Sequence, residues 1–112
     1  MGPRPIGGPV IVTLPPEIDA GNAEQACEKL YEAFAAGAAV VIADLTATTF
    51  CDSSGIQQMM MAHAHAVSAG AQLRLAISPS GAVARVVELM GIGKALDIYA
   101  NTDDAAAALN AL

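Results

Sequence analysis

No tryptophan and only two tyrosines and two phenylalanines occur in the 112 residues, so the core is expected to be built from small aliphatic side chains rather than rings. Cations are equally scarce: 5 Lys+Arg stand against 11 Asp+Glu, a formal net charge of -6 at pH 7. A surface this poor in cations cannot neutralise a phosphate backbone, which argues against nucleic-acid binding and leaves a basic protein partner open. Two cysteines, Cys27 and Cys51, lack the spacing of a zinc site or a redox Cys-x-x-Cys. Long hydrophobic runs are absent too. The longest apolar stretch, Ala33 to Ala43, is broken by Gly37 and falls short of the roughly 20 residues a helix needs to cross a bilayer, so no membrane insertion is expected. The opening residues Met1–Pro9 carry no apolar signal core, and residue 6 is Ile rather than the Ser or Thr of a myristoylation signal; a cytoplasmic location is the expectation. There is no Walker loop, no Gly-x-Ser-x-Gly elbow and no convincing carboxylate pair, so the chain does not read as an enzyme.

What is present suits a compact fold. Hydrophobic residues make up 54% and charged residues 14%, against the composition of disorder. A Pro/Gly-rich segment, 1–9, precedes one expected domain over 10–112, and no useful internal repeat interrupts it. Val10 to Leu14 reads as a strand that Pro15-Pro16 stops, followed by a turn carrying Glu17 and Asp19. Asn22 is placed to cap a helix running to about Ala36, with Ala26, Leu30, Ala33 and Phe34 at helical spacing. Residues 39–45 form a β-branched apolar run, expected to be a strand buried on both faces. A second helix is expected from about Ser54 to Ala69, with Ile56, Met60, His63 or Ala64, and Val67 facing the core. Gln72–Ile77 and Leu96–Tyr99 read as strands, Ser78-Pro79-Ser80 as the start of a third helix, and Thr102 as the start of a fourth. This alternation predicts an α/β domain with a central mixed sheet of about four to five strands and about four helices.

One segment carries chemistry. The buried strand ends in Asp44-Leu45, and the next helix opens at Phe50-Cys51-Asp52-Ser53-Ser54-Gly55. Asp52, Ser53 or Ser54 can cap that helix by accepting from its unpaired amides. The same amides and the helix dipole tolerate negative charge, so a phosphate on Ser53 is compatible with the fold. Met59, Met60 and Met61 span about 200° of helix and cannot all face one core, so at least one reaches the surface. His63 and His65 sit almost opposite one another, a poor metal pair, and no metal is expected. Reduced, partly buried thiols are the ordinary reading of the cysteines; Cys51, beside the serine motif, is additionally a redox candidate.

Asp44-Leu45 followed by Phe50 to Ile56 resembles the STAS-domain anti-sigma factor antagonists of bacteria. Glu17-Ile18-Asp19 is similar to that family's acidic turn, and Ser78-Pro79 through Val86, with Met90-Gly91-Ile92, to its late strand-to-helix segment. The resemblance covers roughly residues 10–110 and implies a STAS-like fold with Ser53 as phosphoacceptor. It implies a partner-facing surface at Asp19, Asp52, Ser54 and Gly55; Gln57 to Met61 depart from the family pattern, and Gln57 and Met61 are expected as further partner contacts, a methionine that reaches the surface being an adaptable contact. It further implies that the chain binds an anti-sigma factor with serine kinase activity, frees a sigma factor, is switched off by phosphorylation and is reset by a serine phosphatase. ATP and magnesium would be held by the kinase, so no cofactor is expected on this chain. The alternative is a non-switching STAS-like subunit docking on a membrane-transport ATPase, with Ser53 merely a cap.

Overall fold

Apolar runs too short for helices alternate here with amphipathic stretches long enough to serve as crossovers, and the chain uses them so. The structure, a computed structural model, describes residues 8–108. Of the expected N-terminal segment 1–9 only Gly8 and Pro9 fall within it, and residues 109–112 of the expected 10–112 domain lie outside the described residues.

Strands β1 (Val10–Thr13), β3 (Val40–Asp44), β5 (Gln72–Ala76) and β6 (Asp97–Tyr99) form one sheet in the order β1-β3-β5-β6. Strands β2 (Glu17–Ile18) and β4 (Phe50–Cys51) make a separate two-stranded pair. Four helices surround them among the described residues: α1 (Ala23–Ala35), α2 (Ser53–Ser68), α3 (Ala82–Met90) and α4 (Thr102–Ala107). The expected α/β domain is therefore present. Every pairing among the described residues is parallel, so the antiparallel component of the expected mixed sheet does not occur there. The reason lies in the connections: each pair of neighbouring strands is joined by a helix-bearing or long crossover, never by a tight hairpin.

Alternation along β3 and β5 sends side chains to both faces, as the apolar runs required. Val41, Ala43, Leu73 and Leu75 pack with Cys27 and Leu30 of α1, Ile56 and Met59 of α2, and Val83 of α3 in the main core. Ile42 and Ala76 meet Ala105 of α4 in a smaller cluster. Gly91, left-handed at φ 69°, ends α3 at a conformation that costs glycine little.

Three local expectations are corrected. The buried positions of α2 are Gly55, Ile56, Met59, Ala62 and Ala66, whereas Val67 is 64% exposed and Met60 only partly buried. Apolar residues surround this helix on all sides, and packing against α1 and β5 chose the phase. Asn22 stands at the start of α1 but does not cap it with its side chain. Its Oδ1 instead accepts from the Asp19 amide at 2.8 Å and its Nδ2 donates to the Glu17 carbonyl at 2.8 Å, stitching the acidic turn together. The third helix begins at Ala82, not at Ser78: the Ser78 hydroxyl donates to the Thr46 carbonyl at 3.2 Å and ties the β5 exit to the β3–β4 loop.

Candidate functional site

The site is built on the small β2–β4 pair. Pro15 and Pro16 end β1 because they lack donors, yet their carbonyls remain good acceptors. Thr48 Oγ1 donates to the Pro15 carbonyl at 3.0 Å, and the amides of Thr49 and Phe50 donate to the Pro16 carbonyl at 2.8 and 3.2 Å. The loop leaving β3 is also braced at its start, where the Thr46 hydroxyl donates to Asp44 Oδ1 at 2.6 Å. These bonds bring β4 alongside β2, with Glu17 opposite Phe50 and Ile18 opposite Cys51.

Both strands leave the pair into acidic turns, Asp19 after β2 and Asp52 after β4. Asp19 is exposed and folds its carboxylate back onto the Gly21 amide at 2.8 Å. Asp52 is the helix cap: its Oδ1 accepts from the amides of Ser54 at 2.9 Å and Gly55 at 3.4 Å. Among the three capping candidates the carboxylate takes the role, as its charge suits the positive end of the helix dipole.

Ser53 is the first residue of α2, is exposed, and its hydroxyl makes no hydrogen bond among the described residues. Ser54 is half-buried behind it. Gln57 and Met61 follow Ser53 at intervals of one helical turn and are both exposed, so the three line one stripe of α2. Of the three methionines, Met59 is fully buried, Met60 half-buried and Met61 58% exposed, as the angular argument required.

Two expectations change at this site. Gly55, placed by resemblance on the partner-facing surface, is buried, with Cys51 Sγ and Ile18 Cγ2 only 2.6 and 2.8 Å from where a Cβ would stand. Its part is to let the first turn of α2 settle on the β2–β4 pair. Cys51, the redox candidate, is 2% exposed. Burial, with the Asp52 charge adding to it, pushes its thiol up to about 11, and burial raises Cys27 to about 11 with Cys51 contributing. Thiols that hold their protons this firmly are poor nucleophiles, and both cysteines are free.

Sequence reasoning passed over Phe50, which is 50% exposed in β4 just ahead of the Asp52-Ser53 turn. The period-two alternation against Cys51 was the available signal, masked because the strand is only two residues long. It also passed over Arg74, 2% exposed in the middle of β5. Its guanidinium donates to the Ala105 carbonyl at 2.8 Å and to Gln72 Oε1 at 3.0 and 3.3 Å, holding α4 against the sheet.

The STAS domain family profile matches residues 4–105, and the chain belongs to that family. The NMR structure of the protein TM1081 is similar in fold, with a TM-score of 0.71 at 21% identity, covering 85% of this chain and 76% of that one. No curated protein matches the chain. No helix among the described residues is long and apolar enough to cross a membrane. No cluster of three metal-ligating side chains occurs among them either.

Proposed function

We propose that this protein is a cytoplasmic, non-enzymatic anti-sigma factor antagonist: it binds an anti-sigma factor that is also a serine kinase, frees a sigma factor, and is switched off by phosphorylation at Ser53. The observation that carries this reading is the unbonded, exposed hydroxyl of Ser53 at the first position of α2, next to the capping Asp52 and on one exposed stripe with Gln57 and Met61. The kinase, holding ATP and magnesium, transfers the terminal phosphoryl group to Ser53 Oγ; ADP leaves and the hydroxyl proton passes to a base on the kinase. A serine phosphatase reverses the modification.

The electrostatics favour a switch in binding over a switch in folding. The phosphate adds about -1.5 to -2 charge at a helix end that tolerates it. A partner carboxylate about 5 Å away at an effective dielectric of 20 is repelled by about 3 kcal/mol per unit charge. Even half of that for a single unit weakens binding roughly tenfold.

Intact-mass measurement after incubation with ATP and each anti-sigma kinase of the host tests the reading, with Ser53→Ala as control. One added phosphate, lost in the control, is expected, together with binding kept by Ser53→Ala and abolished by Ser53→Asp. No phosphate with any kinase, alongside stable binding to a transporter ATPase, moves the assignment to a non-switching transport subunit.

A further inference from the structure

The inner face of β6 is left without a helix. Ile98 pairs in register with Leu75 and points to the same face, yet Leu75 is 1% exposed and Ile98 36%. In front of it opens a groove of about 690 Å³, bounded by the carboxyl ends of β5 and β6, the side of α3 and the turn after Gly91. Its apolar lining includes Ile77, Ala84, Val87 and Ile98. Clefts of roughly 300–1,000 Å³ with mostly apolar walls and few polar groups are the usual form of small-molecule sites. The groove opens at the carboxyl ends of the parallel strands β5 and β6.

Charge decides the class of occupant. Lys94, exposed in the 3-10 turn Gly93–Ala95, lines the groove and makes no ion pair among the described residues. Glu88 also lines it, and lines as well a neighbouring, smaller hollow that reaches toward Leu89. An aliphatic chain fills the walls, and an anionic head meets the unpaired ammonium.

We infer that this groove binds a medium-chain aliphatic carboxylate. The site is separate from the Ser53 surface and does not rest on the proposed phosphorylation.

Decanoate is the probe, titrated into the full-length protein and followed by backbone and methyl NMR shifts, with decanol as the uncharged control. Saturable shifts at Val87 and Ile98 are expected, with decanoate about tenfold tighter than decanol and octanoate weaker by about fourfold per methylene removed. Lys94→Gln, a change on an exposed side chain, is expected to abolish the preference for the acid, and Glu88→Gln to strengthen it. Ala84→Trp, checked for a native spectrum, is expected to block both ligands, while Ser53→Ala changes nothing. Non-saturable shifts, equal binding of acid and alcohol, or a preference that survives Lys94→Gln would each overturn the assignment.

Discussion

The amide of Asp52 donates to the carbonyl of Ile18 at 3.1 Å, carrying the ladder one bond past the end of the β2–β4 pair. That bond holds the Asp52-Ser53 turn beside the turn that begins at Asp19. Neighbouring strands lie about 4.8 Å apart, so the two acidic turns form one surface although more than thirty residues separate them in sequence.

Gly55→Ala tests how tightly that surface is seated. Alanine is favoured over glycine in a helix by up to about 1 kcal/mol, but its Cβ would stand 2.6 Å from Cys51 Sγ and 2.8 Å from Ile18 Cγ2. Overpacking wins, with a net loss of about 1–3 kcal/mol in urea denaturation. Adding Cys51→Ala restores part of the loss, because it removes the nearer of the two obstacles. A raised midpoint in the single variant would refute the close approach.

Met59 and Met61 are two positions apart on α2 and should behave oppositely. Truncating the fully buried Met59 to alanine costs about 2–5 kcal/mol of stability. Met61→Ala, at a side chain 58% exposed, stays within about 0.5 kcal/mol in stability and, on the proposed function, weakens binding of the kinase partner by about 1 kcal/mol. Calorimetric unfolding and a binding titration on the same two variants separate the roles.

Arg74→Met removes the guanidinium that bridges Gln72 and the Ala105 carbonyl across 2.8–3.3 Å bonds. The buried carbonyl is left without its donor, and about 2–3 kcal/mol of stability is lost. Amide exchange is expected to accelerate first in α4. Arg74→Lys recovers little, since an ammonium cannot make the planar fork.

The cysteines predict an alkaline stability limit. Cys27 and Cys51 are raised from 9.0 to about 11 in the fold, so the folded state holds protons that the unfolded chain releases. Their contribution is full below pH 9 and is lost as pH rises toward 11, at about 1 kcal/mol per pH unit for each thiol. Denaturation midpoints of the parent and of a Cys27→Ala/Cys51→Ala double variant should show the parent falling more steeply across that window. Equal slopes would contradict the raised thiols.

The α/β alternation was legible because its signals are local: β-branched runs for β1 and β3, alternating leucines in β5, and glycines after the first three helices. The Asp52-Ser53 motif was equally plain, since capping chemistry depends on a few adjacent residue types. Long-range choices were not legible. A two-residue strand such as β2 carries no periodicity and exists because Pro16 and Ile18 accept bonds from a distant loop. The phase of α2 depended on which methionine fits beside α1 and β5, which a helix apolar on every side does not announce. Gly55 looked like part of the exposed motif because its burial is imposed by Ile18, far away in sequence.

The stripe of Ser53, Gln57 and Met61 touches none of the packing that fixes α2, whereas Gly55, Ile56 and Met59 on the other side are closed off by their neighbours. On the proposed function, stability and recognition are thus written on opposite sides of the same helix. A lineage that duplicates this gene could then redirect one copy to a new partner by altering the outer stripe, without first finding a compensating change inside.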